Sequence, residues 1–508
     1  MQMQPEGIGS WFRYREIETP DKEALIVDGK RFNYKQLNQR INQLSLALQS
    51  LGIHHGDRVA VLAYNGNEFA EIILALAKLG AILVPLNWRL TPVELTFIVS
   101  DSGAEVLFFD ASFEATAEEL RNKAAVRTLI SLSGMSKLAA AKNYDEIIAD
   151  MPVTEPTPDA SVGFDTPHII MYTAGTTGKP KGAVLTQGAS FWNAVNLVVS
   201  MNITNADRNL NVLPMFHIGG IGLFTLPVFY MGGTVILTRT FDPSKALDLI
   251  RKERVSIFMG VPAIFLFLAS QPDFQCMKDV RIIMSGGAPL PVSLIKLYEE
   301  KGLKLVQGFG MSEAAPSIAV LEPSMYLKKA GSIGRRLMHL ETRVVDEDMN
   351  DVGPDKIGEL IMRGPNVMIG YWNRPEATAE AFRGGWFHSG DLARREADGS
   401  LYIVDRSKDM YISGGENVYP AEVENAIYDI PEIGEAAVIG IPDQKWGEVG
   451  KAIVTVKPGK NLTEEQIISH LKGCLAKFKV PAGVVFVDAL PRNAMGKVLK
   501  NTLREKYK

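Results

Sequence analysis

The first hundred residues alternate between helical and strand patterns of apolar side chains, and this alternation limits the fold more than any other feature of the sequence. After Asn33, apolar residues recur at steps of three and four positions until Gly52, which predicts an amphipathic helix with a defined start and end. Apolar runs at 58–63 and 81–85 predict short buried strands, and 68–79 predicts a second helix between them. Helices that alternate with strands predict a parallel sheet covered by helices, which is an α/β fold.

The length of the chain and its turn residues indicate at least two domains. With 508 residues, the chain exceeds the size at which one hydrophobic core continues to grow. The alternation returns from His168 onward, after a proline-rich surface linker at 151–167. From Gly353, short strand patterns are separated by turns, and a new pattern of helix, strand and helix follows. We predict a large N-terminal domain of several subdomains with helix-covered sheets at 1–406, and a small, mobile α+β domain at 407–508.

Charge and cysteine content exclude several classes of protein. The chain has 54 basic and 58 acidic residues, and its net charge of −4 gives no field that would attract nucleic acid. The two cysteines, Cys276 and Cys474, have no metal-binding or redox spacing, so we predict two ordinary buried side chains and a cytoplasmic location. The first twenty residues lack the apolar core of a signal peptide. Whether the protein forms a homodimer is left as an open alternative.

The longest stretch without formal charge, at 209–238, is long enough to cross a bilayer. However, Pro214, Pro227 and five glycines interrupt it, and it contains His217. We therefore expect no transmembrane segment and predict that the stretch is buried beside an apolar pocket. Peripheral contact with lipid stays open.

A loop rich in glycine, threonine and lysine follows an apolar strand at 168–172. In the loop at 173–182, glycines let backbone N–H groups approach phosphate oxygens, hydroxyls donate hydrogen bonds and lysines neutralise charge. The composition predicts a polyphosphate site. The loop is not that of a nucleotide kinase, because Pro180 follows Lys179 where Ser or Thr would be required.

This loop closely resembles the signature loop of the adenylate-forming superfamily, which contains acyl-CoA synthetases, peptide-synthetase adenylation domains and beetle luciferases. The family usually has Ser where this chain has Ala174, so one hydroxyl is missing. The resemblance covers nearly the whole chain and implies an ATP-dependent acyl-CoA synthetase of the fatty-acid or aryl-acid branch. Other stretches resemble further motifs of the family, at 285–289, 307–313, 386–391, 405–409, 413–420 and 491–497.

The resemblance implies a role for individual residues in binding ATP and Mg²⁺. Phe309 would stack on adenine without the usual Tyr hydroxyl, Ser312 would contact the α-phosphate, and Glu313 would hold Mg²⁺. Asp391 would accept hydrogen bonds from the ribose hydroxyls. The residues assigned to the nucleotide in this way are Thr173, Gly175, Thr176, Thr177, Gly178, Lys181, Gly286, Gly287, Ala288, Gln307, Gly308, Phe309, Ser312, Asp391 and Arg406.

The resemblance also implies how the C-terminal domain takes part in the reaction. Lys497 would be the adenylation lysine, and Lys408 would be the hinge about which the domain rotates. Gly414 and Gly415 would line the tunnel for the pantetheine arm of coenzyme A, the second co-substrate. His217 lies where the family places a residue that closes the acyl pocket.

The acid itself is only partly constrained by the sequence. The candidate pocket segments at 216–224, 284–288 and 314–320 contain neither Arg nor Lys, which disfavours a dicarboxylate. Small residues among them, such as Gly220 and Gly222, are expected to leave room for a large acyl group. We favour a medium- or long-chain fatty acid over an aromatic acid. An amino-acid-activating domain, a luciferase-like oxygenase and a non-catalytic nucleotide-binding protein are the remaining alternatives.

Overall fold

The structure is a computed structural model of the chain, and it describes residues 6–132, 134, 136–173, 180–406, 409–413, 416–444, 446–492 and 498–507, apart from the side chain of Arg406. Its α-helices, in chain order, are α1 (Trp11–Glu18), α2 (Tyr34–Ser50), α3 (Asn67–Leu79), α4 (Pro92–Ser102), α5 (Glu114–Lys123), α6 (Tyr144–Ala149), α7 (Gln187–Met201), α8 (Thr225–Met231), α9 (Pro243–Lys252), α10 (Pro262–Ala269), α11 (Val292–Glu300), α12 (Pro375–Ala381), α13 (Pro420–Tyr428), α14 (Glu464–Cys474) and α15 (Lys500–Tyr507).

The strands alternate with these helices. In chain order they are β1 (Glu23–Val27), β2 (Lys30–Asn33), β3 (Arg58–Leu62), β4 (Ile82–Pro85), β5 (Val106–Phe109), β6 (Thr128–Ser131), β7 (Ala141–Asn143), β8 (Pro167–Thr173), β9 (Lys181–Thr186), β10 (Arg208–Asn211), β11 (Thr234–Leu237), β12 (Ile257–Gly260), β13 (Ile282–Ser285), β14 (Leu305–Gly310), β15 (Ser317–Val320), β16 (Arg335–Arg336), β17 (Glu341–Val345), β18 (Ile357–Arg363), β19 (Gly370–Tyr371), β20 (Phe387–Arg395), β21 (Leu401–Arg406), β22 (Tyr411–Ser413), β23 (Glu416–Val418), β24 (Ile433–Asp443), β25 (Gly447–Val456) and β26 (Gly483–Phe486).

The first predicted helix shows how local sequence sets an element boundary. The side chain of Asn33 accepts a hydrogen bond from the N–H of Gln36 at 2.7 Å, and the side chain of Gln36 accepts one from the N–H of Asn33 at 3.0 Å. This reciprocal cap satisfies two backbone donors at the start of α2. Leu37, Ile41 and Leu44 are fully buried along one face, so the predicted amphipathic helix is confirmed.

Two mostly parallel sheets form the centre of the N-terminal part. One has the strand order β16-β15-β14-β13-β12-β10-β11-β1-β2, and the other has the order β19-β9-β8-β4-β3-β5-β6-β7. Their inner strands pair in parallel, whereas β2, β9, β15, β16 and β19 pair antiparallel near the edges. Helices cover these sheets, as predicted from the alternation of patterns, because parallel strands need crossover connections.

The C-terminal part combines a smaller sheet with three helices. A four-stranded antiparallel sheet, β17-β18-β20-β21, precedes it, and β21 ends at Arg406. Strands β22 to β25 then pair antiparallel, β26 joins β25 in parallel, and α13 to α15 accompany them. Each hydrophobic cluster of the described residues lies either up to Ile403 or from Tyr411 onward. The predicted fold class is confirmed, while the boundary between 406 and 407 stays a prediction.

The uncharged stretch at 209–238 is a mainly buried part of the N-terminal core, as predicted. It contains β10, a π-helical turn at Gly219–Leu223, α8 and β11. Within the described ranges, no helix is long and apolar enough to cross a membrane.

Candidate active site

The segments predicted to contact adenine meet where the parallel pairing of β12, β13 and β14 ends. Gly260 of β12, Ser285 of β13 and Gln307 of β14 are neighbours in the register of the sheet. Ser285 and Gln307 are buried, and among the described residues the Oγ of Ser285 and the Oε1 of Gln307 have no hydrogen-bond partner. Unpaired buried oxygens are costly, so their presence at a strand end indicates a place for a ligand with hydrogen-bond donors.

The predicted adenine-binding residues follow directly from these strand ends. Gly286, Gly287 and Ala288 continue from β13, and Gly308 and Phe309 continue along β14. The ring of Phe309 is half-buried against the core, so one part of its surface remains accessible. The structure therefore brings this part of the predicted set together at the carboxyl edge of the sheet.

Glu313 and Lys181, predicted for Mg²⁺ and phosphate, are connected through Tyr371. Glu313 is buried, and its Oε1 accepts a hydrogen bond from the hydroxyl of Tyr371 at 3.2 Å. The Nζ of Lys181 lies 5.4 Å from the centroid of the Tyr371 ring. Burial and the neighbouring carboxylate of Glu313 raise the pKa of Tyr371 well above its ordinary value, so this phenol stays a donor at neutral pH.

Tyr371 was missed by sequence reasoning. It reaches the site because β19 pairs with β9, which places Tyr371 opposite Ala183 and close to Lys181. It lies 58 positions from Glu313 in the sequence, and its neighbours Gly370 and Trp372 form no recognisable pattern for a site. Only the pairing of an edge strand could have revealed it.

Asp101 anchors β8, the strand that leads into the phosphate loop. The hydroxyl of Tyr172 donates to Oδ2 of Asp101 at 2.7 Å, and Arg374 forms an ion pair with the same carboxylate. Thr173 donates from Oγ1 to the carbonyl of Lys181 at 3.4 Å, which brings the two ends of the loop together. The predicted loop residues Gly175, Thr176, Thr177 and Gly178 lie outside the described residues.

Asp391 and Arg406, predicted for the ribose, are directly opposite each other on β20 and β21. Asp391 is buried, and its N–H donates to the Oγ of Ser389 at 3.0 Å. The preceding His388 lies 2.7 Å from the carboxylate of Glu359. The backbone of Asp391 is therefore held by its own strand. Ser312 is half-buried, next to Glu313.

His217 lies in an aromatic cluster beside the predicted acyl pocket. Its ring is 4.6 Å from that of Phe216, which packs edge-on against Trp88 at 5.8 Å. The Nε2 of His217 is buried without a partner among the described residues. Burial, aided by Arg89, lowers the pKa of His217 to about 3, so the imidazole is neutral at physiological pH.

The π-helical turn after His217 contradicts the expectation that Gly220 and Gly222 leave room for a large acyl group. A Cβ at Gly220 would lie 2.3 Å from the carbonyl oxygen of Pro214, and a Cβ at Gly222 would lie 2.6 Å from that of Ala315. These two glycines therefore allow backbone segments to pack against each other and do not leave room for an acyl group. The turn is fixed by Asn193, whose Nδ2 donates to the carbonyl of Gly222 at 2.6 Å.

The remaining predicted residues belong to the C-terminal part of the chain. Lys408, Gly414, Gly415 and Lys497 lie outside the described residues. The segments on either side of them are described. Asp405 accepts a hydrogen bond from the N–H of Ala421 at 2.9 Å.

The location of this site is that of ligand sites in open α/β sheets, which lie outside the carboxyl ends of the strands. It therefore defines a nucleotide-dependent enzyme. Residues 12–372 match the family model of AMP-binding enzymes, and 422–497 match the C-terminal domain of AMP-binding enzymes. The chain belongs to the AMP-binding enzyme family and is an ATP-dependent, AMP-forming acid–CoA ligase.

Relatives with similar sequences span almost the full length of the chain. The chain is 41% identical over 507 residues to the feruloyl-CoA synthase of Amycolatopsis sp, covering 99% of this chain and 100% of the relative. It is 40% identical over 508 residues to the long-chain-fatty-acid–CoA ligase FadD13 of Mycobacterium tuberculosis, covering 99% of each. The crystal structure of ATP-bound MatB from Rhodopseudomonas palustris is 32% identical, with a TM-score of 0.90, and the match covers 98% of this chain and 99% of that chain. The first two relatives are named for different classes of acid.

Proposed function

We propose that this ligase activates a medium- or long-chain fatty acid as an acyl-adenylate and transfers the acyl group to coenzyme A. The observation that supports the proposal best is the meeting of Phe309, Glu313 and Lys181 at one edge of the N-terminal sheets. Phe309 would stack on adenine, Glu313 would hold the metal ion, and Lys181, which is connected to Glu313 through Tyr371, would neutralise phosphate charge.

In the first step, a carboxylate oxygen of the acid attacks the α-phosphorus of ATP, and the bond to pyrophosphate breaks. Lys497 would neutralise the charge that develops between carboxylate and phosphate, while the loop that ends at Lys181 would hold the departing phosphates. Asp391 and Arg406 would fix the ribose. These side chains position the reactants and supply charge, and none of them forms a covalent intermediate.

Mg²⁺ fits the donors that this site offers. The ion prefers carboxylate and phosphate oxygens and is commonly bound through one or two carboxylates together with substrate phosphates. Glu313 provides such a carboxylate, and the hydroxyl of Tyr371 orients it on the side of Lys181. When bound, the ion would neutralise phosphate charge. Tyr371 would keep Glu313 in place for it.

In the second step, the sulfur of coenzyme A attacks the acyl carbon, the thiol loses its proton and AMP leaves. We propose that residues 407–508 rotate about Lys408 between the two steps, because Lys497 in its adenylation position would occupy space that the thiol requires. In the second orientation, Gly414 and Gly415 would line the passage for the pantetheine arm, since residues without side chains leave a narrow path beside the backbone.

The surroundings of His217 support an apolar acid. His217 is uncharged, Phe216 is buried beside it, and the segments at 216–224, 284–288 and 314–320 contain neither Arg nor Lys. A cation nevertheless lies close by, because the guanidinium carbon of Arg89 is 6.0 Å from the centroid of the Phe216 ring, so only these three segments disfavour a second carboxylate. The likeness to FadD13 supports a fatty acid. The likeness to a feruloyl-CoA synthase and the neighbouring ring of Trp88 favour an aromatic acid as the second candidate. His217 would close the pocket in either case.

A panel of acids tests this proposal. Pyrophosphate release would be measured with octanoate, palmitate, ferulate, benzoate, malonate and amino acids, with and without coenzyme A, together with formation of the thioester. We expect the highest kcat/KM with a fatty acid and no thioester with malonate. A kcat/KM that is higher with ferulate than with any fatty acid would show that the substrate is the aromatic candidate. Pyrophosphate release with amino acids but with none of the other acids would contradict the proposal.

The two cysteines support a cytoplasmic location, which we also propose. Cys276 is half-buried and Cys474 is exposed, so the prediction of two buried side chains is wrong, and both are free thiols. Exposed free thiols are typical of proteins in a reducing compartment. The thiol state of the protein purified from its native host would test this, and oxidation of both residues would contradict it.

A further inference from the structure

The two ends of the segment at 491–499, which contains the predicted adenylation lysine, are joined to each other. The N–H of Leu499 donates to the carbonyl of Pro491 at 2.8 Å, and Arg492 pairs with Val498 as an isolated antiparallel bridge. Lys497 immediately precedes Val498 in the sequence. Whatever fixes the two ends of this segment therefore also limits where Lys497 can be.

Each end of this segment carries an ion pair to the body of the C-terminal sheet and helices. On one side, Arg492 pairs with Glu435 of β24. On the other side, the Nζ of Lys500 lies 2.8 Å from Oε1 of Glu424 on α13, and both side chains are largely buried, with 15% and 13% exposed. Oε1 of Glu424 also accepts a hydrogen bond from the N–H of Val438 at 2.8 Å, so the carboxylate that holds Lys500 is itself fixed by the backbone of β24.

The second ion pair also faces the segment around the predicted hinge. Burial disfavours the charged form of Lys500, but the carboxylates of Glu424, Asp405 and Asp409 outweigh it and raise the pKa of Lys500. Asp405 and Asp409 flank the hinge in the sequence. One turn further along α15, Arg504 forms an ion pair with Asp409 at 2.8 Å.

A largely buried cation costs free energy that an exposed lysine would not, because its hydration is lost. A buried cation is retained where a defined position matters more than stability. Here the buried cation is Lys500, three residues after Lys497 in the sequence. We propose that Lys500 is a positioning residue for adenylation, which fixes the C-terminal end of the segment at 491–499 to α13 so that Lys497 would move together with the C-terminal domain. This inference rests on the proposed role of Lys497.

The test separates the two half-reactions of the enzyme. In Lys500→Met, pyrophosphate release with acid and ATP should fall about 10-fold to 100-fold in kcat, the scale expected when a reacting group is displaced by about 1 Å. The KM for ATP and the rate of thioester formation from supplied acyl-adenylate should each stay within about twofold, because neither needs Lys497 in place. Lys500→Arg should recover most of the lost rate, since it keeps the charge beside Glu424.

Two variants exclude a purely structural role. Lys506→Met removes an exposed cation from the same helix and should leave both half-reactions unchanged. In Lys500→Met/Glu424→Gln both charges of the pair are gone, and the side-chain carbonyl of Gln can still accept the hydrogen bond from the N–H of Val438, so thermal stability should recover relative to Lys500→Met because no buried charge is left unpaired. We expect adenylation to stay low in this double variant. Recovery of adenylation together with stability would overturn the inference, as would an equal loss in both half-reactions of Lys500→Met.

Lys497→Ala, measured in parallel, distinguishes this inference from the proposed function. If Lys497→Ala loses adenylation while Lys500→Met does not, only the role of Lys500 is wrong. If Lys497→Ala adenylates normally, the role of Lys497 is wrong and the positioning role of Lys500 is overturned with it.

Discussion

The nucleotide side and the C-terminal side of this enzyme are each stabilised by a different kind of interaction. On the nucleotide side, candidate residues such as Gln307 and Phe309 lie on β14, one of the buried strands of the large N-terminal sheet. On the C-terminal side, the segment that contains Lys497 is connected to its surroundings by ion pairs such as Lys500–Glu424. A buried sheet edge suits a site that stays the same in both half-reactions, whereas a loop on a separate unit suits a lysine that must withdraw.

The comparison predicts that changes on the C-terminal side separate the half-reactions, and Lys497→Ala should do so most strongly. Adenylation should fall about 10²-fold to 10³-fold, the scale for removing one group that stabilises transition-state charge. Thioester formation from supplied acyl-adenylate should persist, because the lysine has withdrawn at that stage. The two rates are measured as pyrophosphate release and thioester formation. A similar loss in both would contradict the two-orientation mechanism.

A bulky side chain at Gly415 should have the opposite effect. In Gly415→Leu, the rate of thioester formation should fall about 10-fold or more, because the side chain would obstruct the path of the pantetheine arm and displace the thiol. Pyrophosphate release in the absence of coenzyme A should be unchanged. Gly473→Leu provides a control at an exposed glycine of α14, which has no left-handed backbone angle and whose Cβ would meet no neighbouring atom. If Gly415→Leu slows adenylation instead, Gly415 does not belong to the thiol step.

On the nucleotide side, Tyr371→Phe should affect adenylation through Glu313. Loss of the hydroxyl removes the hydrogen bond to Glu313, so we expect adenylation to fall about 10-fold, at the lower end of the loss for a group that orients a metal ligand. The Mg²⁺ concentration for half-maximal rate should rise, and Mg²⁺ binding measured by calorimetry with a non-hydrolysable ATP analogue should weaken.

Tyr14→Phe is the matched control for this change, because Tyr14 is exposed and its hydroxyl contacts only surface groups among the described residues. An unchanged Mg²⁺ requirement in Tyr371→Phe would mean that Tyr371 supports the fold and not the carboxylate.

Segments that are contiguous in the sequence could be recognised as candidates for the site, while their roles in binding ATP stay predictions. Strand–loop segments such as the one ending at Lys181 and the one around Glu313 place their residues by local geometry, and the structure brings them together. Tyr371 could not be predicted, because it reaches the site only through the pairing of β19 with β9. The packing of Gly220 and Gly222 against distant carbonyl groups was missed for the same reason, since a glycine that fits a neighbouring backbone looks in sequence like one that leaves space.

The smallest expected effect concerns the contact between the two sides. The carboxylate of Asp405, on the last strand before the predicted hinge, accepts a hydrogen bond from the N–H of Ala421 at the start of α13. Rotation about Lys408 would change the geometry of this bond, so it stabilises the orientation seen here relative to the other. A bond from a side chain to the first turn of a helix contributes about 1 kcal/mol, which corresponds to about fivefold in the ratio of the two orientations.

Asp405→Ala should therefore change the ratio of adenylation rate to thioester rate by up to about fivefold, with a small loss of thermal stability. Asp398→Ala is a control, because Asp398 forms its ion pairs within the N-terminal part, with Lys329 and Arg335. An equal change of both rates in Asp405→Ala would show that this bond supports folding alone. In that case the preference between orientations would depend on the substrates bound at the edge of the N-terminal sheets.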